Sequence, residues 1–184
     1  MKTLLKILQV LVIVSVLFGC ATVSPAVLAN REECPNAVDG FVAGRFVTTK
    51  NSTGDIIGIS IRNVDNQKEV TFKCDLKKEN QIQLAKVTPG KYRISRWVVT
   101  SGWNDLAGGR YFPNDVKPFS IEFEVKPNTI TYIGDYFVSI KTIGFKQWSY
   151  SVDKVYDNFE ITMKEIKEKY IMHKELEMFN MLKM

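Results

Sequence analysis

The stretch that decides the fold is PFSIEFEVK, residues 118–126. Apolar and polar side chains alternate along it. The apolar set is Phe119, Ile121, Phe123 and Val125, and the polar set is Ser120, Glu122, Glu124 and Lys126. A period of two places the two sets on opposite faces of an extended chain. The stretch is therefore predicted to be a β-strand with one face in a core and the other in water.

The same period continues over most of the chain, from about residue 41 to residue 152. In DIIGISIRN, residues 55–63, three isoleucines alternate with small or polar residues. Eight strands are predicted, near 41–49, 56–63, 69–76, 80–87, 91–99, 118–126, 130–140 and 144–152. No helical period separates them. The pattern therefore predicts an all-β fold, an antiparallel β-sandwich of about seven to eight strands.

Two connections between predicted strands share one pattern. VTPGKYRI (residues 87–94) and VKPNTITYI (residues 125–133) each place proline before glycine or asparagine. Proline presets the first turn angle, and Gly90 or Asn128 accepts the positive φ that follows. Both stretches are therefore predicted to be tight turns.

These two turns with their flanking strands also carry a resemblance. V-x-P-G-x-Y-x-I, followed by F-x-V-x-P-N-x-x-x-Y-I-G-D, resembles a family of small bacterial lipoproteins of unknown function. Their domain is a β-sandwich of the transthyretin or carboxypeptidase-regulatory type, and the resemblance would cover about residues 38–170. It implies a fold and an envelope location rather than a chemistry. The family has no agreed catalytic residues, so it implies none here.

The period changes after the last predicted strand, and residues 157–184 are predicted to form a C-terminal amphipathic α-helix. Phe159, Met163, Ile166 and Tyr170 recur at helical spacing and predict a stripe that packs on the sandwich. Beyond residue 173 the chain is rich in methionine. For residues 174–184 two readings stay open, packing on the chain's own domain or a surface for a partner or a membrane.

The N-terminus has the organisation of a secretory signal peptide, predicted over residues 1–19. Lys2 and Lys6 precede an apolar run from Ile7 to Phe18. Twelve helical residues span about 18 Å, well short of the ~30 Å hydrocarbon core of a bilayer. Cleavage after export is the better interpretation.

The leader offers two cleavage sites. Leu17-Phe18-Gly19-Cys20 resembles the lipobox of bacterial lipoproteins, which implies acyl chains on Cys20 and a membrane partner. Val27-Leu28-Ala29 instead fits an ordinary signal peptidase, but it lies well past the apolar run. We favour Cys20, with residues 20–37 as lipidated cysteine and tether. By the same resemblance to lipoproteins, the non-acidic Ala21 implies sorting to the outer membrane, facing the periplasm.

Both cleavage sites leave Cys34 and Cys74 as the remaining thiols. In an exported protein a Cys34–Cys74 disulfide is the natural prediction. The alternative is a buried free cysteine that acts as a small apolar residue. Neither cysteine has a cysteine or histidine close in sequence, so no metal site is predicted.

One connection is long enough to suggest binding. Residues 100–117 separate two predicted strands, and long loops often bind ligands or partners. Its candidate binding residues are Trp103, Asn104, Asp105, Arg110, Tyr111 and Phe112. The alternative is a folded-back loop whose aromatic side chains seal one end of the sandwich.

The chain gives little sign of catalysis. The single histidine, His173, is predicted to be a solvated helix residue with no orienting carboxylate or nucleophile nearby in sequence. Glu122 and Glu124 face water, so they are not an acid–base pair. No catalytic residue, metal site or cofactor is predicted, and the protein is not expected to be an enzyme. The net charge is +5, of which Lys2 and Lys6 contribute two, and the remaining +3 gives no support for a nucleic-acid partner.

Together these patterns predict a lipoprotein with a sandwich domain over residues 38–156 and a helix over 157–184. The expected function is a non-enzymatic binding module that holds an envelope protein near the membrane. The alternative is a structural or accessory subunit of an envelope secretion or transport assembly, docking through the C-terminal tail.

Overall fold

The computed structural model of the protein describes residues 23–48, 56–75, 80–101, 104–106, 122–144 and 147–183. Within these ranges the chain forms twelve β-strands and one α-helix. In chain order they are β1 (Val23–Pro25), β2 (Val27–Leu28), β3 (Gly40–Thr48), β4 (Ile56–Asn63), β5 (Glu69–Asp75), β6 (Asn80–Val87), β7 (Gly90–Ser101), β8 (Asn104–Leu106), β9 (Glu122–Val125), β10 (Thr129–Gly144), β11 (Gln147–Tyr156), α1 (Phe159–Lys169) and β12 (Glu177–Asn180).

The described strands form two six-stranded sheets, which confirms the predicted sandwich. Sheet A has the order β1-β5-β4-β7-β8, and β9 also pairs with β7. Sheet B has the order β11-β10-β3-β6-β2, and β12 also pairs with β10. Most neighbours are antiparallel, as expected, but β1–β5, β3–β10 and β10–β12 are parallel. These parallel pairs join segments that are distant in sequence.

The space between the two sheets is filled by the apolar residues of the alternating pattern. Ile59, Ile61 and Phe72 of sheet A are fully buried there. From sheet B, the rings of Phe46 and Tyr136 stack with 5.5 Å between their centroids. On β9, Phe123 and Val125 are buried and Glu122 and Glu124 are exposed; Phe119 and Ile121 lie outside the described residues. The period-two prediction is confirmed at every one of these described positions.

A second core lies on the opposite face of sheet B, under α1. The helix contributes Met163 and Ile166, and the segment after it contributes Tyr170. They pack on side chains of β3, β6 and β10, namely Phe41, Ala43, Ile82, Leu84, Ile130 and Tyr132. Sheet B is therefore covered on both faces. This explains why consecutive residues of β3 and β10 are buried there, instead of alternating.

Both predicted turns have the expected backbone. Gly90 has φ of 150°, and Asn128 has φ of 54°. A side chain at Gly90 would be strained by that φ and would also meet Asn63 Nδ2 at 2.9 Å. Asparagine tolerates the left-handed region better than most residues, so Asn128 fills its turn without a glycine.

The stretch predicted to be a tether is partly strand. β1 pairs with β5 of sheet A through Val23↔Glu69, and β2 pairs with β6 of sheet B through Val27↔Lys86. Strands of two or three residues are too short to show an alternating pattern in the sequence. They are strands only because neighbouring strands pair with them. The described part of residues 20–37 is thus joined to both sheets of the domain.

The C-terminal helix is shorter than predicted. It ends at Lys169, and Tyr170 has φ of −119° and ψ of 69°, outside the helical region. A 3₁₀ turn (Ile171–His173) and then β12 follow, and β12 pairs with residues 129–132 of β10. The prediction of one helix over 157–184 is correct only for its first part.

A buried ionic network fixes α1 to sheet B. Arg45 Nε lies 3.2 Å from Asp135 Oδ2, and its Nη2 lies 2.7 Å from Glu165 Oε1 on the helix. The Thr162 hydroxyl donates to Asp135 Oδ1 at 2.9 Å, and the Asn158 amide donates to Asp135 Oδ2 at 3.1 Å. Each oxygen of the buried carboxylate is thereby hydrogen-bonded, as a charge in a core requires.

No described helix is both long enough and apolar enough to cross a bilayer. The predicted signal peptide, residues 1–19, and Cys20 lie outside the described residues.

Candidate functional site

Histidine, cysteine, lysine and carboxylate side chains line one pocket beside β2 and β6, on the edge of sheet B. Its volume is about 240 Å³. One wall is the segment from β2 to the start of β3, and the other is formed by β6, β3 and the 3₁₀ turn after α1. The lining residues are Val27, Leu28, Ala29, Asn30, Glu33, Cys34, Pro35, Asn36, Asp39, Phe41, Lys86 and His173.

His173 is the buried polar group of this pocket, with 2% of its surface exposed. Its ring meets Phe41 edge to face with 4.9 Å between centroids, and it meets Tyr170 similarly at 6.1 Å. Its Nδ1 is buried and has no hydrogen-bond partner among the described residues. Burial lowers the pKa of His173 below its usual value, although the charge of Glu33 opposes this. The imidazole is therefore neutral at pH 7.

The prediction that His173 is a solvated helix residue is wrong. The helix ends before it, and the 3₁₀ turn directs the imidazole toward β3 instead of toward water. Glu33, Cys34 and Asp39 line the same pocket, and none is close to His173 in sequence. No periodic pattern could have found this arrangement, because the pairing of sheet B brings the residues together.

An ion pair forms the charged side of the pocket. Lys86 Nζ lies 2.6 Å from Asp39 Oδ2. The hydrogen bond to Asp39 raises the pKa of Lys86, partial desolvation opposes the rise, and the charges of Asp39 and Glu33 add to it. The Lys86 side chain is 41% exposed and that of Asp39 is 18% exposed, so the pair lies between the pocket and solvent.

Side-chain hydrogen bonds shape the wall between β2 and β3. Asn30 Oδ1 accepts from the Glu32 amide at 3.1 Å, and Asn36 Oδ1 accepts from the Val38 amide at 3.3 Å. Such turns let an asparagine side chain replace a backbone partner. The Asp39 carbonyl then accepts from the Asn128 amide at 2.7 Å, which ties this wall to the β9–β10 turn.

Cys34 has an exposed, free thiol in the structure, and the predicted Cys34–Cys74 disulfide is not found. Cys34 lies in the connection between β2 and β3, and Cys74 lies on β5 of sheet A. Cys34 lines the pocket beside Lys86, whereas Cys74 follows Lys73 on β5, whose carbonyl accepts a hydrogen bond from Gln83. A disulfide needs Cα atoms within about 7 Å of each other, and the structure holds the two cysteines in separate elements.

A second polar cluster lies on the outer face of sheet A around Glu69, which is 2% exposed. Arg62 Nη2 and Ser95 Oγ donate to its Oε1 at 2.9 and 2.5 Å, and Arg96 Nη2 lies 3.2 Å from its Oε2. Burial alone would raise the pKa of Glu69, but these hydrogen bonds and the two arginine charges hold it below the usual value. The cluster stabilises the pairing of β4, β5 and β7.

The other residues singled out in the sequence are not brought to the pocket by any described contact. Trp103, Arg110, Tyr111 and Phe112 lie outside the described residues. Asn104 and Asp105 belong to β8, where they pair with Ser101 and Thr100 of β7. The prediction that this loop binds a partner therefore stays a prediction.

The polar side chains that line the pocket can form hydrogen bonds and ion pairs. Among the described residues no three histidine, cysteine or carboxylate side chains are placed to hold one metal ion. The pocket offers a neutral imidazole, a thiol and a lysine–carboxylate pair around a space of about 240 Å³. That space suits one amino-acid side chain or a similar group, since sites for whole small molecules usually measure about 300–1,000 Å³.

Comparison with known proteins adds no family. No protein-family model and no curated protein matches the chain. Among solved structures, a leucine-rich repeat protein from Bacteroides thetaiotaomicron is similar over 54% of this chain and 14% of its own, with 12% sequence identity and a TM-score of 0.33. A similarity at that score carries no argument about fold or function.

Proposed function

We propose that this protein is a lipid-anchored lipoprotein of a bacterial envelope whose sandwich is a non-enzymatic binding module. The pocket around His173 is its binding site, and an envelope protein near the membrane is its partner. The leader and the LFGC motif at Cys20 support the anchor. The contacts of the pocket support the binding role.

The observation that carries this proposal is the buried Nδ1 of His173, which has no partner among the described residues. A buried polar atom without a hydrogen bond destabilises a protein by about 1–3 kcal/mol. His173 lines the pocket, so a partner's side chain that displaces part of the pocket wall and hydrogen-bonds to Nδ1 would remove this penalty on binding. The pocket is about the size of one such side chain, which favours a protein partner.

The accessory-subunit alternative relied on a free C-terminal tail. In the structure the tail adds β12 to sheet B, and Met181 is fully buried in the core between the sheets. Residues 177–183 therefore already have a partner in their own domain. This contact favours binding through the pocket over docking through the tail.

The thiol of Cys34 gives a direct test of the pocket. A library of small disulfide-bearing fragments, equilibrated with the protein under mild reduction, should select fragments at Cys34 that also hydrogen-bond to His173. Intact-mass spectrometry identifies the captured fragments, and Cys34→Ser is the blank. His173→Phe keeps an aromatic ring against Phe41 and Tyr170 but removes both nitrogens. The captured amount of the fragments selected by wild type should therefore fall at least several-fold. An unchanged selection would show that His173 takes no part in recognition.

Cross-linking in intact cells then tests the partner. His173→Phe should lose the cross-linked protein, while Ile171→Ala, an exposed change on the same turn, should keep it. A third variant carries alanine at Trp103, Tyr111 and Phe112. If only that variant loses the partner, the binding surface is the loop and not the pocket.

Mass spectrometry of the mature N-terminus tests the anchor. An acylated Cys20 is the expected first residue. A mature protein that begins with an unmodified Asn30 would mean that the second cleavage site is used and that no anchor exists.

A further inference from the structure

The distance from the lipid-attachment residue to the folded domain is short. β1 begins at Val23, three residues after Cys20. Three residues span at most about 11 Å even when fully extended. The polar layer on each side of a bilayer is about 5–8 Å thick. If Cys20 is acylated, as the proposed function holds, the start of β1 lies at the headgroups or just above them.

The register of β1 identifies the end of the domain that is held there. Val23 pairs with Glu69, the first residue of β5, next to the β4–β5 turn. The amide of Val64 in that turn donates to the carbonyl of Lys91 at 2.8 Å, which places the start of β7 at the same end. Lys68 and Lys91 are exposed there and can meet anionic headgroups.

Exposed apolar side chains lie on the segment that follows. Val27 is 67% exposed, Leu28 is 52% exposed and Val38 is 65% exposed. Val27 lies opposite Lys86, which is paired with Asp39, the neighbour of Val38. Val27 and Leu28 line the His173 pocket, and Val38 directly precedes Asp39, which also lines it. We call these three side chains the apolar rim.

We propose that the apolar rim rests on the lipid surface and that the pocket opens at the level of the headgroups. Single exposed apolar residues are ordinary on a protein surface. Here three of them share one rim, only a few residues beyond a proposed lipid anchor. An anchor this short holds the rim near the bilayer, and apolar area at the interface then strengthens the contact. The pocket would accordingly select partners that are themselves held at the membrane.

Site-specific fluorescence in lipid vesicles tests this orientation. The full chain is produced in bacteria, acylation of Cys20 is verified by intact mass, and the protein is reconstituted into vesicles of phosphatidylethanolamine and phosphatidylglycerol. An environment-sensitive fluorophore is attached at Val38→Cys or at Ile161→Cys, each in a Cys34→Ser background. Ile161 is the matched control, because it is a 60% exposed apolar residue on α1. The Cys34→Ser protein without a new cysteine gives the labelling blank.

Nitroxide-labelled lipids should quench the label at residue 38 several-fold more strongly than the label at residue 161. Equal quenching, or stronger quenching at residue 161, in acylated protein would overturn the rim proposal and leave the anchor standing. If the label at residue 38 becomes protected from solvent only after an envelope protein extract is added, a protein covers the apolar rim, and the rim proposal is overturned as well. An N-terminus without acyl chains would overturn the anchor, and the rim proposal with it.

Discussion

His173 is a single residue on which both the pocket and the stability of the C-terminal segment depend. Its ring packs between Phe41 of β3 and Tyr170, which follows α1. Protonation would place a positive charge in this apolar contact, where solvent can stabilise it little. Glu33 is the nearby carboxylate that opposes this effect, and the charge of Lys86 is already neutralised by Asp39.

The stability of the protein should therefore fall as the pH is lowered through the range in which histidine titrates. The folded pKa of His173 lies below its ordinary value of 6.5, so the unfolded chain binds the proton more readily. This contribution to stability is fully present above pH 6.5 and is lost as the pH falls toward the folded pKa. Thermal unfolding between about pH 7.5 and pH 5.5 measures the effect, since His173 is the only histidine and few other groups titrate there.

His173→Phe is the control for this effect. The variant keeps the ring contacts but has no proton to bind, so its melting temperature should vary less over the same pH range. If wild type and variant show the same pH dependence, His173 is not the titrating group.

Among the elements, α1 makes one contact that the sequence pattern predicts and one that it does not. The period predicted a stripe of Phe159, Met163, Ile166 and Tyr170; the last three are buried and Phe159 is partly buried. The pattern did not predict that Arg45 is buried. By alternation alone, Arg45 would lie on the solvent-exposed face of β3. Arg45 is buried because the helix lies over it, and its charge is matched by Asp135.

Breaking this ion pair from one side should be far more damaging than removing both charges. Asp135→Ala removes the buried carboxylate and leaves the Arg45 guanidinium paired only with the half-exposed Glu165. We expect a loss of about 3–5 kcal/mol in the free energy of unfolding. The double variant Arg45→Met with Asp135→Leu removes both charges and should be clearly more stable than Asp135→Ala. Chemical denaturation followed by circular dichroism measures both. Equal losses in the two variants would show that the ion pair itself stabilises the helix contact. The loss in Asp135→Ala would then not come from an unpaired buried charge.

At the scale of the whole molecule, the first and last described segments of the chain complete the sandwich. The N-terminal strands add to both sheets, and β12 adds to sheet B. Met181 then enters the core between the sheets, where Leu182 also packs. The methionine-rich tail left two readings open in the sequence, and the contacts of Met181 decide between them for its described part.

Two methionines of the C-terminal segment give a matched test of this role. Met181 is fully buried, whereas Met172 is 42% exposed. Met181→Ala should lower the free energy of unfolding by about 2–5 kcal/mol, because it leaves a cavity between the sheets. Met172→Ala should change it by no more than about 0.5 kcal/mol. Urea denaturation compares the two, and similar small effects would mean that the tail is not part of the core.

The sequence by itself determined the longer strands, the turns and the helix stripe, because each depends on neighbours along the chain. Alternation in residues 55–63 and 118–126 reports which face is buried, and the φ values at Gly90 and Asn128 follow from the turns themselves. Only the tertiary structure decided which strands pair, that sheet B is covered on both faces, and that His173 lies in a pocket with Cys34 and Asp39. The strand pair β3 and β10 joins residues about ninety positions apart, and the pocket joins His173 to residues more than a hundred positions away. Their burial is set by the packing of whole elements, which no local period records.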